Sequence, residues 1–95
     1  MKEVYIRIKG RVQGIGFRYW AVNMVRKIGG ISGWVHNAAD GSVEIMMRGE
    51  EDQIDQMILA CHQGPILARV DSVEFVVGRV SSFLPPIEDG VFKRA

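Results

Sequence analysis

The stretch that decides the fold is VYIRIKGRVQGIGFRYWAVNMVRKI, which spans residues 4–28. At its start, Val4, Ile6 and Ile8 alternate with outward-facing neighbours, which is the period-two pattern of a half-buried strand. Towards its end, apolar residues recur at the spacing of one helix face. That face consists of Phe17, Ala21, Met24, Val25 and Ile28. The stretch therefore predicts a strand, a glycine-rich turn and an amphipathic helix.

The turn between them reads Gly10-Arg11-Val12-Gln13-Gly14-Ile15-Gly16-Phe17-Arg18. A glycine-rich turn leaves main-chain N–H groups free to converge on a small volume, and the following helix adds its positive N-terminal end. Arg18 supplies a permanently charged, forked guanidinium at the helix start. The turn predicts a site for a small tetrahedral anion such as a phosphoryl group. The glycines alone would equally fit a tight connection with a solvated Arg18, because glycine is common in turns.

Further elements follow in a regular order. Gly29-Gly30 end the helix, and a second strand runs from Ile31 to Asn37. Asp40-Gly41 is a strong hairpin signal that leads into a third strand, on which Val43, Ile45 and Met47 share a face. After Gly49, an acidic turn begins a second helix that ends before Gly64-Pro65.

The second helix, the fourth strand and the last strand complete the pattern. The apolar face of that helix consists of Ile54, Met57, Ile58 and Cys61. The fourth strand is marked by Val73, Phe75 and Val77, and a short last strand by residues 91–94. The order is βαββαβ with a terminal fifth strand. It predicts a ferredoxin-like α+β sandwich with two helices on one face of an antiparallel sheet.

The composition indicates one domain over residues 1–95, long enough for a single modest core. No apolar run approaches the roughly 18 residues of a membrane span, and the start of the chain does not resemble a signal peptide. The single cysteine, Cys61, excludes an internal disulfide and any two-cysteine metal site within one chain. A reducing cytoplasm is the expected location.

Charge is unevenly distributed along the chain. Residues 1–36 carry seven basic residues and one acidic residue, whereas residues 37–95 carry five and ten. The glycine-rich turn lies in the basic part, which suits an anionic ligand. The net charge of +1 is too small for a dedicated nucleic-acid surface.

Two further blocks join the turn in a resemblance to the acylphosphatase family. The first is Gly33-Trp34-Val35-His36-Asn37 followed by Asp40-Gly41-Ser42-Val43-Glu44, and the second, weaker block is Gly64-Pro65 with Ala68-Arg69-Val70. The family usually has valine where this chain has Ile15, and a small polar residue at Ala38. It also has a one-glycine turn where this chain has Gly29-Gly30. The longer turn could be absorbed by glycine flexibility, or it could shift the second strand and with it Asn37.

The resemblance implies that Arg18 binds the phosphoryl group and Asn37 orients the attacking water. It also implies that main-chain N–H groups of the turn hold the phosphoryl oxygens. The residues concerned are Val12, Gln13, Gly14, Ile15, Gly16 and Phe17. The substrate would be a small acyl phosphate and the product inorganic phosphate, with no cofactor and no metal. We expect a monomer without a nucleic-acid or membrane partner.

Residue chemistry supports that reaction. Asn37 is uncharged and cannot act as a general base, but its amide can both accept from and donate to a water molecule. The turn and the Asn37 strand contain no carboxylate pair, cysteine nucleophile or cluster of metal ligands. Such a site needs a leaving group that departs unaided, as the carboxylate of an acyl phosphate does. Hydrolysis to a carboxylate and inorganic phosphate is the predicted activity.

A binding module of the same fold class is the main alternative to an enzyme. An RNA-recognition domain would carry aromatic residues on its central strands, and residues 42–48 contain none. A copper-chaperone-like domain would need a cysteine pair near the first turn. A catalytically silent acylphosphatase-like domain that binds a partner stays open, since the additional glycine at Gly29-Gly30 favours it.

Some individual residues are expected to have ordinary structural roles. His36 neighbours Asn37 but faces the other side of its strand, and His62 is expected at the surface. We predict that Cys61 is a core residue and that Trp20 and Trp34 pack rather than bind ligand.

Overall fold

A computed structural model of the chain describes residues 1–78 and 84–95. In chain order the elements are β1 (Lys2–Arg11), α1 (Phe17–Ile28), β2 (Ser32–Asn37), β3 (Val43–Gly49), α2 (Glu51–Gln63), β4 (Arg69–Val77) and β5 (Phe92–Arg94). This order confirms the predicted βαββαβ pattern with a short terminal strand. Neither helix in the described part of the chain is long and apolar enough to cross a bilayer.

The strands form one sheet in the order β4-β1-β3-β2-β5. Its first four strands are antiparallel to their neighbours, as predicted. β5 lies parallel to β2, with Gly33 opposite Phe92 and Val35 opposite Arg94, so the complete sheet is mixed. The direction of β5 could not be read from the sequence, because a strand of three residues carries no periodicity that fixes its partner.

The hydrophobic core lies between the sheet and the two helices. Strand residues of the core are Val4, Ile6, Ile8, Val35, Val43, Ile45 and Met47, and helix residues are Phe17, Ala21, Val25, Ile54, Met57 and Cys61. Fully burying one large side chain of this kind contributes about 1.5–3 kcal/mol. Since alternate residues of the strands meet both helices in one cluster, the helices cover the same face. Cys61 is a core residue, as predicted, and its burial raises the pKa of the thiol to about 12.

β4 lies at one edge of the sheet and is more exposed than the inner strands. Of its three predicted marker residues, only Val73 packs against the core. Phe75 and Val77 are 49% and 57% exposed. The inner strands have a neighbour on each side, whereas β4 pairs only with β1 among the described residues.

The additional glycine between α1 and β2 is taken up within the turn. Gly29 has a φ of 81°, and its N–H donates to Val25 O at 2.8 Å, which ends the helix. Gly30 has a φ of 73°, which glycine adopts without strain, and a Cβ atom there would lie 2.5 Å from the side-chain oxygen of Gln53, so that side chain would have to move. β2 still begins at Ser32 and ends at Asn37.

Candidate active site

Four parts of the fold enclose a small cavity of about 90 Å³. They are the loop after β1, the first turn of α1, the end of β2 and β5. The lining residues are Val12, Gly14, Gly16, Phe17, Arg18, Tyr19, Asn37 and Arg94. We call this the active-site cavity. It brings Arg18 and Asn37 together, although 18 residues separate them in the sequence.

The loop at residues 12–17, here called the phosphate loop, presents main-chain N–H groups without protein acceptors. The N–H groups of residues 13–17 form no hydrogen bond with any described residue. Gly16 has a φ of 83° immediately before α1, a conformation that glycine adopts without strain. The first turn of α1 contains no acidic residue. The loop and the positive end of the helix dipole therefore favour an anion at this point.

Arg18 is held by the chain segment that follows β5. Its Nη1 donates a hydrogen bond to the main-chain oxygen of Ala95 at 2.9 Å. The N–H of Ala95 in turn donates to Val35 O at 2.8 Å. In the described part of the chain, no Asp or Glu side chain lies within 4.0 Å of the guanidinium. Since a guanidinium has five N–H donors, most remain available to a ligand.

Asn37 is the last residue of β2 and pairs with Val43 across the hairpin. Side chains of a strand alternate between the two faces, so Asn37 shares the helix-covered face with the core residue Val35. Its amide forms no side-chain hydrogen bond with a described residue. Both the oxygen and the nitrogen of that amide can therefore engage a water molecule or a ligand.

Gln13 connects the phosphate loop to the hairpin that follows Asn37. Its Nε2 donates to Ala38 O at 2.8 Å and to Ser42 O at 2.9 Å. The hairpin turn is itself closed by Asp40 Oδ1, which accepts from the Ser42 N–H at 2.9 Å and from the Ser42 hydroxyl at 2.6 Å. These bonds from Ser42 hold the pKa of the exposed Asp40 carboxyl below its usual value. The two halves of the cavity are thus joined by one side chain.

Not every predicted loop residue lines the cavity. Val12, Gly14, Gly16 and Phe17 do, whereas Gln13 and Ile15 do not. The Gln13 side chain turns towards the hairpin, and Ile15 packs against the core. Tyr19 and Arg94 line the cavity without having been singled out as site residues. Arg94 lies on β5, and no sequence pattern indicates that this strand joins β2.

A second polar group lies on the helix-free face of the sheet. We call it the Glu44 cluster: Tyr5, Arg7, His36 and Glu44. Glu44 is only 7% exposed, accepts a hydrogen bond from the Tyr5 hydroxyl, and lies 2.5 Å from His36 Nε2 and 3.4 Å from Arg7 Nη2. As predicted, His36 faces away from Asn37 and towards Glu44.

The Glu44 cluster shifts the titration of two of its members. Burial works to raise the pKa of Glu44. Hydrogen bonds from Tyr5 and His36, together with nearby positive charge, outweigh this effect, so the pKa of Glu44 lies below its usual value. Burial and the bond to Glu44 raise the pKa of Tyr5. The cluster therefore favours a negatively charged Glu44 beside a protonated Tyr5.

The two tryptophans have packing roles, and His62 lies at the surface. Trp20 stacks edge to face with Phe17 at a centroid distance of 5.1 Å. Trp34 is buried, and its Nε1 donates to Pro85 O at 2.9 Å. His62 is exposed on the last turn of α2, with Nδ1 3.0 Å from Ile58 O. Among the described residues, no group of three or more His, Cys, Asp or Glu side chains has the arrangement of a metal site.

A family model and individual relatives both match this chain, and they point to the same family. The Acylphosphatase family model matches residues 4–83. The acylphosphatase of Nitrobacter hamburgensis is 49% identical over 69 residues, which cover 73% of this chain and 69% of that protein. The acylphosphatase of Rhodospirillum rubrum is 40% identical over 90 residues, which cover 95% and 92% of the two chains.

A solved structure extends the likeness to the whole fold. The crystal structure of acylphosphatase from Bacillus subtilis superposes with a TM-score of 0.86 at 29% identity and covers 100% of this chain and 99% of that one. The family model, the relatives and the fold therefore agree with one another. The chain belongs to the acylphosphatase family.

Proposed function

We propose that this chain hydrolyses acyl phosphates to a carboxylate and inorganic phosphate, without a metal or cofactor. The observation that carries the proposal is the convergence of Arg18, the phosphate loop and Asn37 on one cavity of about 90 Å³. A cavity of that size suits one phosphoryl group, and its lining contains two arginines and no carboxylate.

The phosphoryl group would be held by Arg18 and by the main-chain N–H groups of the phosphate loop. Hydrogen bonds to a charged partner contribute about 1.5–3 kcal/mol each. The transition state of phosphoryl transfer is loose, with negative charge spread over three equatorial oxygens. Donors fixed by a glycine-rich loop and a helix end need little rearrangement to meet that charge, so they stabilise the transition state above the bound substrate.

Asn37 would orient the water that attacks phosphorus. The water oxygen forms the new P–O bond while the bond between phosphorus and the acyl oxygen breaks, and the bonding electrons leave with the carboxylate. Both protons of the water end on the released phosphate, so atoms and charges balance. Because the amide of Asn37 is neutral, its contribution is placement rather than proton removal.

The leaving group accounts for the absence of an acid among the proposed catalytic residues. A carboxylate is a far weaker base than an alkoxide, so it departs from phosphorus without being protonated. An ordinary phosphate ester would need a general acid or a metal at the same point. The proposed substrates are therefore acyl phosphates and not phosphate monoesters.

We further propose that residues 1–95 act as one catalytic domain, as a monomer in the cytoplasm and without a nucleic-acid or membrane partner. Every proposed catalytic group comes from a single copy of the chain, from residues 12–18 and 37. The one cysteine is buried in the core, in keeping with a protein that needs no disulfide.

The direct test is hydrolysis of benzoyl phosphate by the purified protein, with and without a metal chelator. We expect turnover that the chelator leaves unchanged and that inorganic phosphate inhibits competitively. 4-Nitrophenyl phosphate, an ester, should not be hydrolysed. Loss of turnover on chelation would overturn the metal-free mechanism.

A silent partner-binding domain is distinguished by the same experiment. That alternative gives phosphate binding, measured by calorimetry, without any turnover of benzoyl phosphate. The feature that favours it is the additional glycine at Gly29-Gly30, which could have shifted Asn37, yet Asn37 lines the cavity together with Arg18. The geometry therefore favours the enzyme.

A further inference from the structure

A second, larger cavity adjoins the active-site cavity and has no role in the proposed phosphoryl chemistry. It measures about 390 Å³ and lies between α1 and β5. Its lining residues are Tyr19, Val22, Asn23, Arg26, Phe92, Lys93 and Arg94. Tyr19 and Arg94 line both cavities, so the two spaces are neighbours across these side chains. We call the larger one the side groove.

The wall formed by α1 extends away from the phosphate loop. Tyr19, Val22, Asn23 and Arg26 occur at positions i, i+3, i+4 and i+7, which places them in one row along the helix. At 1.5 Å per residue, the row from Tyr19 to Arg26 is about 10 Å long. Side chains of a helix generally lean towards its N-terminus, which for α1 is the end at the active-site cavity. A ligand held by Arg18 therefore has space for a second group along this row.

Charge in the side groove is positive. Its lining includes Arg26, Lys93 and Arg94 and no carboxylate. Lys93 is paired with Glu88 at 3.0 Å. Within the described residues, Arg26 and Arg94 have no carboxylate within 4.0 Å. Two arginines without a protein counterion therefore border the groove, which favours a negatively charged ligand group.

The side groove also has apolar surface, which lies between Arg18 in the active-site cavity and Arg26 in the groove. Val22 and Phe92 line it and pack against the hydrophobic core, while Tyr19 is 66% exposed. A flat or aliphatic segment can contact these side chains, with an anion at either end. The ligand that fits both cavities therefore has an anionic group at each end and an apolar segment between them.

We infer that the side groove binds the acyl part of the substrate and selects acyl phosphates that carry a second anionic group on that part. The inference rests on the proposed function, because the phosphoryl group in the active-site cavity fixes where the acyl part begins. Arg26 is a specificity-determining residue that touches the far end of the substrate. Val22 and Phe92 contact its middle.

The test compares two substrates that differ by one distant carboxylate, benzoyl phosphate and 4-carboxybenzoyl phosphate. We expect the kcat/KM ratio of the charged to the neutral substrate to fall about two- to fivefold in Arg26→Gln, the size of one partly exposed charge contact. Arg26→Glu should lower the ratio further. The control is Lys27→Gln, an exposed cation of the same helix turn outside the groove, which should leave the ratio unchanged.

Ionic strength gives a second readout. Because salt screens the attraction between solvent-exposed charges, the preference for the charged substrate should weaken as the salt concentration is raised. In Arg26→Gln that salt dependence should be smaller than in the wild type. An unchanged ratio and an unchanged salt dependence in Arg26→Gln would overturn the inference while turnover of benzoyl phosphate still supported the proposed function.

Binding of inert analogues separates the two proposals if turnover fails. In these analogues a CH₂ group replaces the oxygen between the carbonyl and phosphorus, and calorimetry gives their Kd. If the wild type binds the carboxylated analogue more tightly than the neutral one, and the Arg26→Gln variant does not, the side groove is an anion site. Equal Kd values for both analogues in the wild type would contradict it.

Discussion

The Glu44 cluster and the active-site cavity are both polar, yet they differ in how their groups are paired. In the Glu44 cluster the carboxylate is almost fully buried and contacts Tyr5, Arg7 and His36. In the cavity, Arg18 has no Asp or Glu partner among the described residues, and the N–H groups of residues 13–17 have no acceptor among them either. His36 and Asn37 are adjacent on β2 and lie on its opposite faces, so one belongs to the Glu44 cluster and the other to the active-site cavity.

This difference in pairing indicates that the Glu44 cluster contributes to stability and the active-site cavity to ligand binding. Polar groups that satisfy one another fix the fold and have little left for a ligand. Donors that have no protein partner are held in place by backbone geometry and are satisfied by water or by a ligand. Substitutions in the cavity should therefore change turnover with little effect on unfolding, and substitutions in the Glu44 cluster should do the reverse.

The largest effect is expected for Asn37→Ala. Removing the group that positions the nucleophile should lower kcat by about 10²–10³-fold, the usual cost of losing one preorganised catalytic contact. Asn37 is not proposed to hold the phosphoryl oxygens. The Kd of inorganic phosphate, measured by calorimetry, should therefore stay within about twofold of the wild-type value. Full activity in this variant would refute the water-positioning role.

Arg18→Gln should weaken both turnover and phosphate binding. Loss of a charge-assisted contact of about 1.5–3 kcal/mol corresponds to a roughly 10- to 150-fold higher Kd for phosphate. The matched control is Arg11→Gln, because Arg11 is an exposed arginine at the edge of the same loop and does not line the cavity. Equal losses in both variants would indicate a general field effect instead of a direct contact.

Gln13→Ala should reduce kcat by a smaller amount, about tenfold. Its two hydrogen bonds hold the hairpin against the phosphate loop, and small misplacement of reacting groups is costly for rate. Phosphate affinity should change less than kcat, because the loop N–H groups remain. Gln56→Ala, an exposed glutamine on α2, serves as the control. A loss of unfolding free energy without a loss of kcat would assign Gln13 a purely structural role.

Glu44→Gln tests the other side of the comparison. Replacing the buried carboxylate weakens three contacts, and we expect the free energy of unfolding in urea to fall by about 1–3 kcal/mol. The kcat on benzoyl phosphate should stay within about twofold. Glu51→Gln, whose side chain is 78% exposed, should leave the unfolding free energy unchanged. A large loss of kcat in the folded Glu44→Gln protein would break the separation between the two regions.

The smallest effect is the pH dependence of that stability difference. The pKa of Glu44 in the folded protein lies below its ordinary value of 4.5, so the folded state binds the proton less tightly than the unfolded state. Its contribution to stability is therefore fully present above pH 4.5 and is lost as pH falls through the lowered pKa. The gap between wild type and Glu44→Gln, measured by urea unfolding, should narrow below pH 4.5. A gap that widens there would contradict the assigned direction.

Local patterns were enough to predict the order of the elements, whereas the family came from the resemblance of three sequence blocks. Alternation in Val4–Ile8, the stripe of α1 and the Asp40-Gly41 hairpin depend on neighbours in sequence, and each fixes one element. Core membership of Cys61 followed from its position on an apolar helix face. These features are short-range, so one sequence is sufficient to recognise them.

Parts of the candidate site depend on long-range placement that no local pattern encodes. The Gln13 side chain could have pointed into the cavity or out of it, and only the position of the hairpin decides this. Arg94 reaches the cavity because β5 pairs in parallel with β2 at the edge of the sheet. The side groove exists only once that pairing has formed.

The contact between Arg18 and the main-chain oxygen of Ala95 has a consequence for how the protein folds. It joins residues 77 positions apart, and loop closure over such separations comes late because its entropic cost precedes its reward. We therefore expect the guanidinium to reach its final position only after β5 has docked against β2. A chain that has its core but not its last strand should be compact and should lack the contact that holds Arg18.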